Sequence, residues 1–152
     1  MMNFGLDEPT VIHGMIMAFD FGTKRIGVAI GQTITQTASP IKPLLATDGV
    51  PDWVELETLI NHWHPKALVV GVPVHNGGLE ELITKRALKF ARKLKTRFKL
   101  PVFGVDESFT SEAARQELYD RGGTRLIKKQ SIDSIAAQLI CESWLRMYSS
   151  KL

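Results

Sequence analysis

The stretch MIMAFDFGTKRIGVAIG, Met15 to Gly31, decides how the chain is read. Two runs rich in apolar and β-branched residues, Met15–Phe21 and Arg25–Gln32, flank the short turn GTK, which is the pattern of paired antiparallel strands. Asp20 stands in the first run directly after five apolar residues. An ionised carboxylate taken into an apolar interior without a partner costs roughly several kcal/mol, so this position demands a donor or a cation.

Outward from this pair, Gln36–Leu45 reads as a third strand across the turn TIT, and Pro40 and Pro43 push it to an edge. After Pro51 the period changes: Trp53, Leu56, Leu59, Ile60 and Trp63 fall on one helical face, and Pro65 ends that helix. ALVVGVP, from Ala67, is a fully buried strand. A helix from about Leu79 to Phe98 carries Ile83, Ala87, Phe90, Ala91, Leu94 and Phe98 inward and its basic residues outward, with Glu80 and Glu81 at the end its dipole favours. LPVFGVDE is a strand ending in two carboxylates, and TSEAARQELYD and SIDSIAAQLICESWLRMY are helices, the first stopped by Gly122 and Gly123. The order predicts an α/β fold with a mixed five-stranded sheet: three antiparallel strands, then parallel additions joined by crossover helices that cover both faces.

A length of 152 residues with 44% hydrophobic content supports one compact domain. The longest nearly unbroken apolar run, Ala67 to Val74, falls far short of the roughly 18 to 20 residues of a membrane-spanning helix. The N-terminus has no basic start followed by an apolar core, and Cys141 has no partner for an intramolecular disulfide, so a reducing, cytoplasmic setting is expected. The net charge of +3 is unevenly spread. Lys85, Arg86, Lys89, Arg92, Lys93, Lys95, Arg97 and Lys99 occur with no acid among them, and a second basic cluster comprises Arg121, Arg125, Lys128 and Lys129. Two such clusters suit a polyanion such as nucleic acid.

Acidic residues recur at strand ends: Asp20 in the first strand, Asp106 and Glu107 at the end of the last, and Asp133 in the expected first turn of the last helix. Taken singly, each has a local explanation as a turn residue, a loop cap or a partner of the helix dipole. Together, carboxylates on adjacent strands and a neighbouring helix can converge, and such a cluster tolerates its own repulsion only when cations neutralise it. Oxygen-only ligands select hard cations, Mg²⁺ or Mn²⁺, and two ions about 3.5 to 4 Å apart can activate water and stabilise the leaving oxygen of a phosphodiester. The histidines, at 13, 62, 64 and 75, have no zinc-like spacing.

The segments MAFDFGTKRIGVAIGQTITQTASP, LVVGVPVHNGG, VFGVDESFTSEAA and KKQSIDSIAAQLI, in this order, resemble the YqgF/RuvX family of Holliday-junction-resolvase-like proteins. The resemblance runs from about Gly14 to Tyr148, leaving residues 1–13 as an N-terminal extension to a domain of residues 14–148. It implies an RNase H-like fold and a metal-dependent nuclease acting on the 5′ end of pre-16S rRNA in ribosome biogenesis. It carries the catalytic and metal-binding acids over to Asp20, Glu107 and Asp133, with Asp106 as an ancillary candidate. The family usually has Arg after the DE pair where this chain has Ser108, so Arg115, Arg125 or Lys128 is the candidate for that substrate contact. Lys24, Lys85, Lys89, Arg92, Lys93 and Lys129 complete the expected nucleic-acid contacts, with structured RNA, branched DNA and ribosomal particles as partners. Two other readings share these residues: a Holliday-junction resolvase, and an RNA-binding module that keeps the basic surfaces and has no use for the acids.

Overall fold

The computed structural model of the chain describes residues 4–8, 11–73, 82–107 and 129–148, the side chains of 129–133 excepted. Its strands are β1 (Met15–Asp20), β2 (Arg25–Gln32), β3 (Thr37–Thr47), β4 (Val50–Pro51), β5 (Ala67–Val72) and β6 (Val102–Asp106). The helices are α1 (Trp53–Trp63), α2 (Leu82–Phe98) and α3 (Lys129–Tyr148). They form one mixed sheet in the order β4-β3-β2-β1-β5-β6, with β1 to β4 antiparallel and β5 and β6 added parallel to β1.

The sheet therefore has six strands and not the expected five. The extra one, β4, is two residues long and pairs Val50 and Pro51 with Thr47 and Ala46 across the Asp48–Gly49 turn. Two residues, one a proline, carry no alternation to read. The helix of TSEAARQELYD and the beginning of the helix expected from Leu79, with Glu80 and Glu81, lie outside the described residues.

Strand alternation divides the core in two. Met17, Phe19, Val28, Leu68, Val70 and Val102 face α1 and α2, where Leu56, Ile60, Ala87, Phe90, Ala91 and Leu94 meet them. Ile16, Ala18, Ala29, Val69, Phe103 and Val105 face α3, where Ala137, Ile140, Cys141, Trp144 and Leu145 close over them. Each fully buried aliphatic or aromatic side chain contributes about 1.5 to 3 kcal/mol, so both faces are needed to hold the sheet. Asp52 starts α1 by accepting from the N–H groups of Val54 (3.0 Å) and Glu55 (3.3 Å). His64 stops it in the left-handed region, φ 51°, one residue before Pro65.

A bulge interrupts the β2–β3 ladder between Ile26 and Val28. Ser134 of α3 repairs it: its buried hydroxyl donates to the Ile41 carbonyl (2.5 Å) and accepts from the Val28 N–H (3.4 Å). This bridge fixes where α3 lies along β2 and β3.

The N-terminal residues do more than precede the domain. Phe4 and Leu6 are buried against Gly104 of β6, where a Cβ would come within 2.5 Å of the Phe4 ring. Asp7 closes the exposed edge of β6, donating its own N–H to the Val102 carbonyl (3.1 Å) and accepting the Val102 N–H on its carboxylate (2.8 Å). Lys95 of α2 also donates to that carboxylate (2.8 Å). Burial pushes the Asp7 carboxyl up, but the Lys95 ammonium and the Val102 N–H outweigh it and hold the group below the ordinary carboxylate value. A lowered native pKa gives stability that is fully present above the unfolded pKa and lost as pH falls through the native one. Asp7→Asn should therefore lower the melting temperature at pH 7, and the gap from wild type should close as pH falls below 3.8. Thermal unfolding followed by circular dichroism at pH 7, 5 and 3 checks this; a gap of constant size would show that the charge does not fasten the segment.

Candidate active site

Asp20 ends β1 and shares the parity of Ile16 and Ala18, so it belongs to the α3 face of the sheet. Its register partner on β5 is Gly71, and Gly71 in turn pairs with Val105 of β6. Glu107 follows β6 with the parity of Phe103 and Val105, on that same face.

Gly71 is what lets these acids share the face. A Cβ built on it would lie 2.9 Å from Glu107 Oε1 and 3.0 Å from Glu107 Cγ, so the Glu107 side chain reaches back across β5 over the missing side chain. The Glu107 carboxylate thus sits over the residue paired with Asp20 on the neighbouring strand. Ile140 of α3 fills the other side of the space, 2.3 Å from the same hypothetical Cβ. Glu107 and Ile140 thus meet over Gly71, on the face that Asp20 shares, in a space that any side chain at position 71 would fill.

Asp106 falls elsewhere. Alternation of β6 puts it with Val102 and Gly104 on the α1/α2 face, away from Asp20 and Glu107. Asp133 is the fifth residue of α3, not in its first turn as the sequence suggested, because the helix begins at Lys129. The dipole explanation for that acid loses most of its force, since the effect falls off beyond the first turn. Position 133 lies one turn before Ala137 and two before Ile140, on the stripe of α3 that meets the sheet, and Ser134 beside it is the bridge to β2 and β3. Among the described residues no group of three or more His, Cys, Asp or Glu side chains forms a cation site, the Asp133 side chain lying outside them.

The donor set fits a hard cation. Asp20 and Glu107 offer only oxygen, and the missing Cβ at Gly71 lets the Glu107 carboxylate lie on the face they share. Cys141 is excluded as a nucleophile: it is fully buried under β2, and desolvation, helped by the Glu142 charge, pushes its thiol up to about 12.

Gly22 opens the turn beyond Asp20. A Cβ there would lie 2.3 Å from the Arg25 carbonyl, so the return into β2 passes too close for any side chain. Lys24 is exposed in this turn, and Lys85, Lys89, Arg92 and Lys93 are exposed on α2. Arg115, Arg125 and Lys128 lie outside the described residues, as does the side chain of Lys129. The sequence reading did not single out Gly71, although a glycine interrupting a run of buried strand residues is the usual mark of a close approach.

Known proteins resemble this chain in sequence and in fold. A family model described as RuvX, Holliday junction resolvase, matches residues 14–147. A relative from Coxiella burnetii is 51% identical over 130 residues, covering 86% of this chain and 91% of its own. One from Actinobacillus pleuropneumoniae is 49% identical over 129 residues, covering 85% of this chain and 94% of its own. Both carry a name that marks them provisionally as pre-16S rRNA nucleases. Among solved structures, Thermus thermophilus RuvC in complex with a Holliday junction substrate superposes with a TM-score of 0.56 at 16% identity, over 90% of this chain and 98% of that one. The fowlpox virus Holliday junction resolvase gives 0.56 at 16% identity, over 88% and 99%. The fold is that of the RuvC-like, RNase H-type resolvases.

Gly71→Ala tests the space over position 71. The methyl group must push Glu107 or Ile140 aside, so the variant should lose about 1 to 3 kcal/mol of stability by overpacking. Its Mn²⁺ affinity in calorimetry should fall to that of Glu107→Gln. Wild-type Mn²⁺ affinity in Gly71→Ala would show that the site does not depend on Glu107 lying over β5.

Proposed function

We propose, from the premise that the chain belongs to the RuvX family of Holliday junction resolvases, that this phosphodiester hydrolase is a divalent-metal-dependent nuclease that processes the 5′ end of pre-16S rRNA. The observation that carries the chemistry is the shared face of Asp20 and Glu107 over Gly71, with position 133 on the α3 stripe that meets it.

Asp20, Glu107 and Asp133 are the residues that would hold Mg²⁺ or Mn²⁺, two ions in this reading. When bound, such ions activate water and stabilise the leaving oxygen in an in-line displacement. The chain's own part is positional. Asp20 is held at the end of the central strand, between partners on both sides. Glu107, reaching back over Gly71, accepts a hydrogen bond from the attacking water and so orients it. Asp133 is carried on a helix whose placement is fixed by Ser134. Asp106, on the opposite face, is left as an ancillary acid outside this set.

The exposed cations of α2, Lys85, Lys89, Arg92 and Lys93, with Lys24 in the turn beyond Asp20, are the phosphate contacts of this reading; Arg115, Arg125, Lys128 and Lys129 extend it along the chain. No helix among the described residues is long and apolar enough to cross a membrane. We assign the protein to the cytoplasm, with pre-rRNA, in free or ribosome-bound form, as partner. The preference for rRNA over junction DNA comes from the relatives' name; the resolvase fold makes four-way junction DNA the competing substrate.

Two outcomes are expected. In calorimetry, Asp20→Asn should bind Mn²⁺ at least tenfold more weakly than wild type; equal affinity would remove Asp20 from the metal site. In cells, depletion of the protein should leave 16S rRNA with an extended 5′ end, cured by wild type and not by Asp20→Asn. Cure by Asp20→Asn would replace this reading with that of an RNA-binding module.

A further inference from the structure

The face of the sheet opposite the carboxylates has a cavity of its own. Its volume is about 250 Å³, and it opens between the β3–β4 turn and α2. Phe21 and Phe90, both buried, form its floor, Trp53 one wall, and Arg86, Lys89 and Lys93 its rim. A shallower cavity of about 370 Å³ shares Trp53, Lys89 and Lys93 with it and adds Arg92 and Arg97, so the two make one continuous groove along α2.

Several contacts hold this groove in shape. Trp53 is fixed on both counts: its ring stacks with Phe90 at 6.2 Å and 29°, and the Arg97 guanidinium lies 4.6 Å from its centroid. The β3–β4 turn is tied to the loop after Asp20 by Ala46 N–H to the Lys24 carbonyl and Gly49 N–H to the Thr23 carbonyl, both 2.8 Å. Gly49, at φ +82°, lets the turn press on Phe21, whose ring would lie 2.9 Å from a Cβ there. Asp48 pairs with Arg86 (3.1 Å) and closes the turn onto α2. Asp48 is the acid lining the cavity over Phe21 and Phe90, against Arg86, Lys89 and Lys93, so the rim stays positive once that pair has formed.

An aromatic floor beneath a positive rim is the composition that takes a base on its apolar side and a phosphate at its edge. At about 250 Å³ the cavity over Phe21 and Phe90 is smaller than the usual ligand pocket, which suits one base and not a larger ligand. A paired base keeps its faces stacked within the duplex, so only an unpaired nucleotide can enter. Phe21 directly follows Asp20 and points to the other side of the sheet, which puts the groove around the sheet edge from the carboxylates. We infer that the groove receives nucleotides of an unpaired strand, one base on Phe21 and Phe90 beside Trp53 with its phosphate on Lys89 and Lys93, and the next phosphate toward Arg92 and Arg97. This deepens the nuclease reading and rests on it: the strand that crosses the sheet edge at Asp20 is single-stranded where it leaves the carboxylates.

The test uses the full chain in EDTA, with a fluorescently labelled single-stranded RNA oligonucleotide, the same sequence as duplex, a free mononucleotide, and a polyglutamate of matched charge. The single strand should bind most tightly and quench tryptophan emission, and Trp53→Phe should remove most of the quench. The K89E/K93E variant, altered only at exposed positions, should bind at least tenfold more weakly, with a salt slope shallower by about 0.7, the value for the one phosphate contact that the two lysines share on a single strand. Lys42→Glu, which reverses an exposed charge outside both cavities and outside the phosphate contacts, should cost much less. Quenching by the mononucleotide with the same dependence on Lys89 and Lys93 would identify the cavity as the base site itself; quenching by the oligonucleotide alone would require the adjoining groove as well. Unchanged affinity in K89E/K93E, equal binding of duplex, or equal competition by polyglutamate would each overturn the inference. Cleavage assays with Mn²⁺ separate the two readings: if wild type leaves the oligonucleotide uncut the nuclease reading fails while strand binding stands, and if K89E/K93E binds like wild type only the groove fails.

Discussion

Everything at the candidate site turns on a steric absence in the middle of the sheet. β5 is buried on both faces and flanked by β1 and β6, yet at Gly71 it has no side chain to offer α3. Into that gap the Glu107 side chain folds back from the end of β6, toward the residue whose register partner is Asp20. Asp20 and Glu107 thereby share one face at the rim of an apolar core. The arrangement is held by the core beneath it, Val69, Val105 and Ile140, and its charge is of the kind that a bound cation offsets.

The two faces of the sheet then divide the work. The α3 face carries the acids, and its helix is locked in place through Ser134 at the one point where the β2–β3 ladder breaks. A bulge leaves backbone groups without ladder partners, and here those groups fasten the helix that bears Asp133. The α1/α2 face carries cations and aromatic rings. Asp20 and Phe21, adjacent in sequence, point to opposite faces, so a strand end two residues long joins the acidic side to the basic one.

Most of this architecture was legible because strand and helix periods leave different marks. β1, β2 and α1 lie where alternation and helical spacing put them, and the inward set Ala87, Phe90, Ala91 and Leu94 of α2 follows from its period. Thr84 was not foreseen in the core, because a hydroxyl reads as exposed until a partner is known; it donates to the Pro73 carbonyl at the base of α2. Phe4 and Leu6 were missed for a different reason. Two apolar residues in a short stretch have no period, and only the bare surface of β6 at Gly104 explains why they are buried.

The acids show the same boundary between local and non-local information. That Asp20 needed a partner followed from five apolar neighbours, and that Asp106 and Glu107 could not both supply it follows from the two-residue repeat of β6. Which of the two faces α3 depends on which side of the sheet that helix covers, a fact written nowhere in residues 100–107. The glycine at position 71 was visible in the same way and equally mute: a gap in ALVVGVP signals that something approaches, and only the crossover that brings β6 beside β5 says that it is Glu107. The site is therefore specified by pairs of residues far apart in the chain, each pair made meaningful by a strand register that buried side chains on both faces enforce.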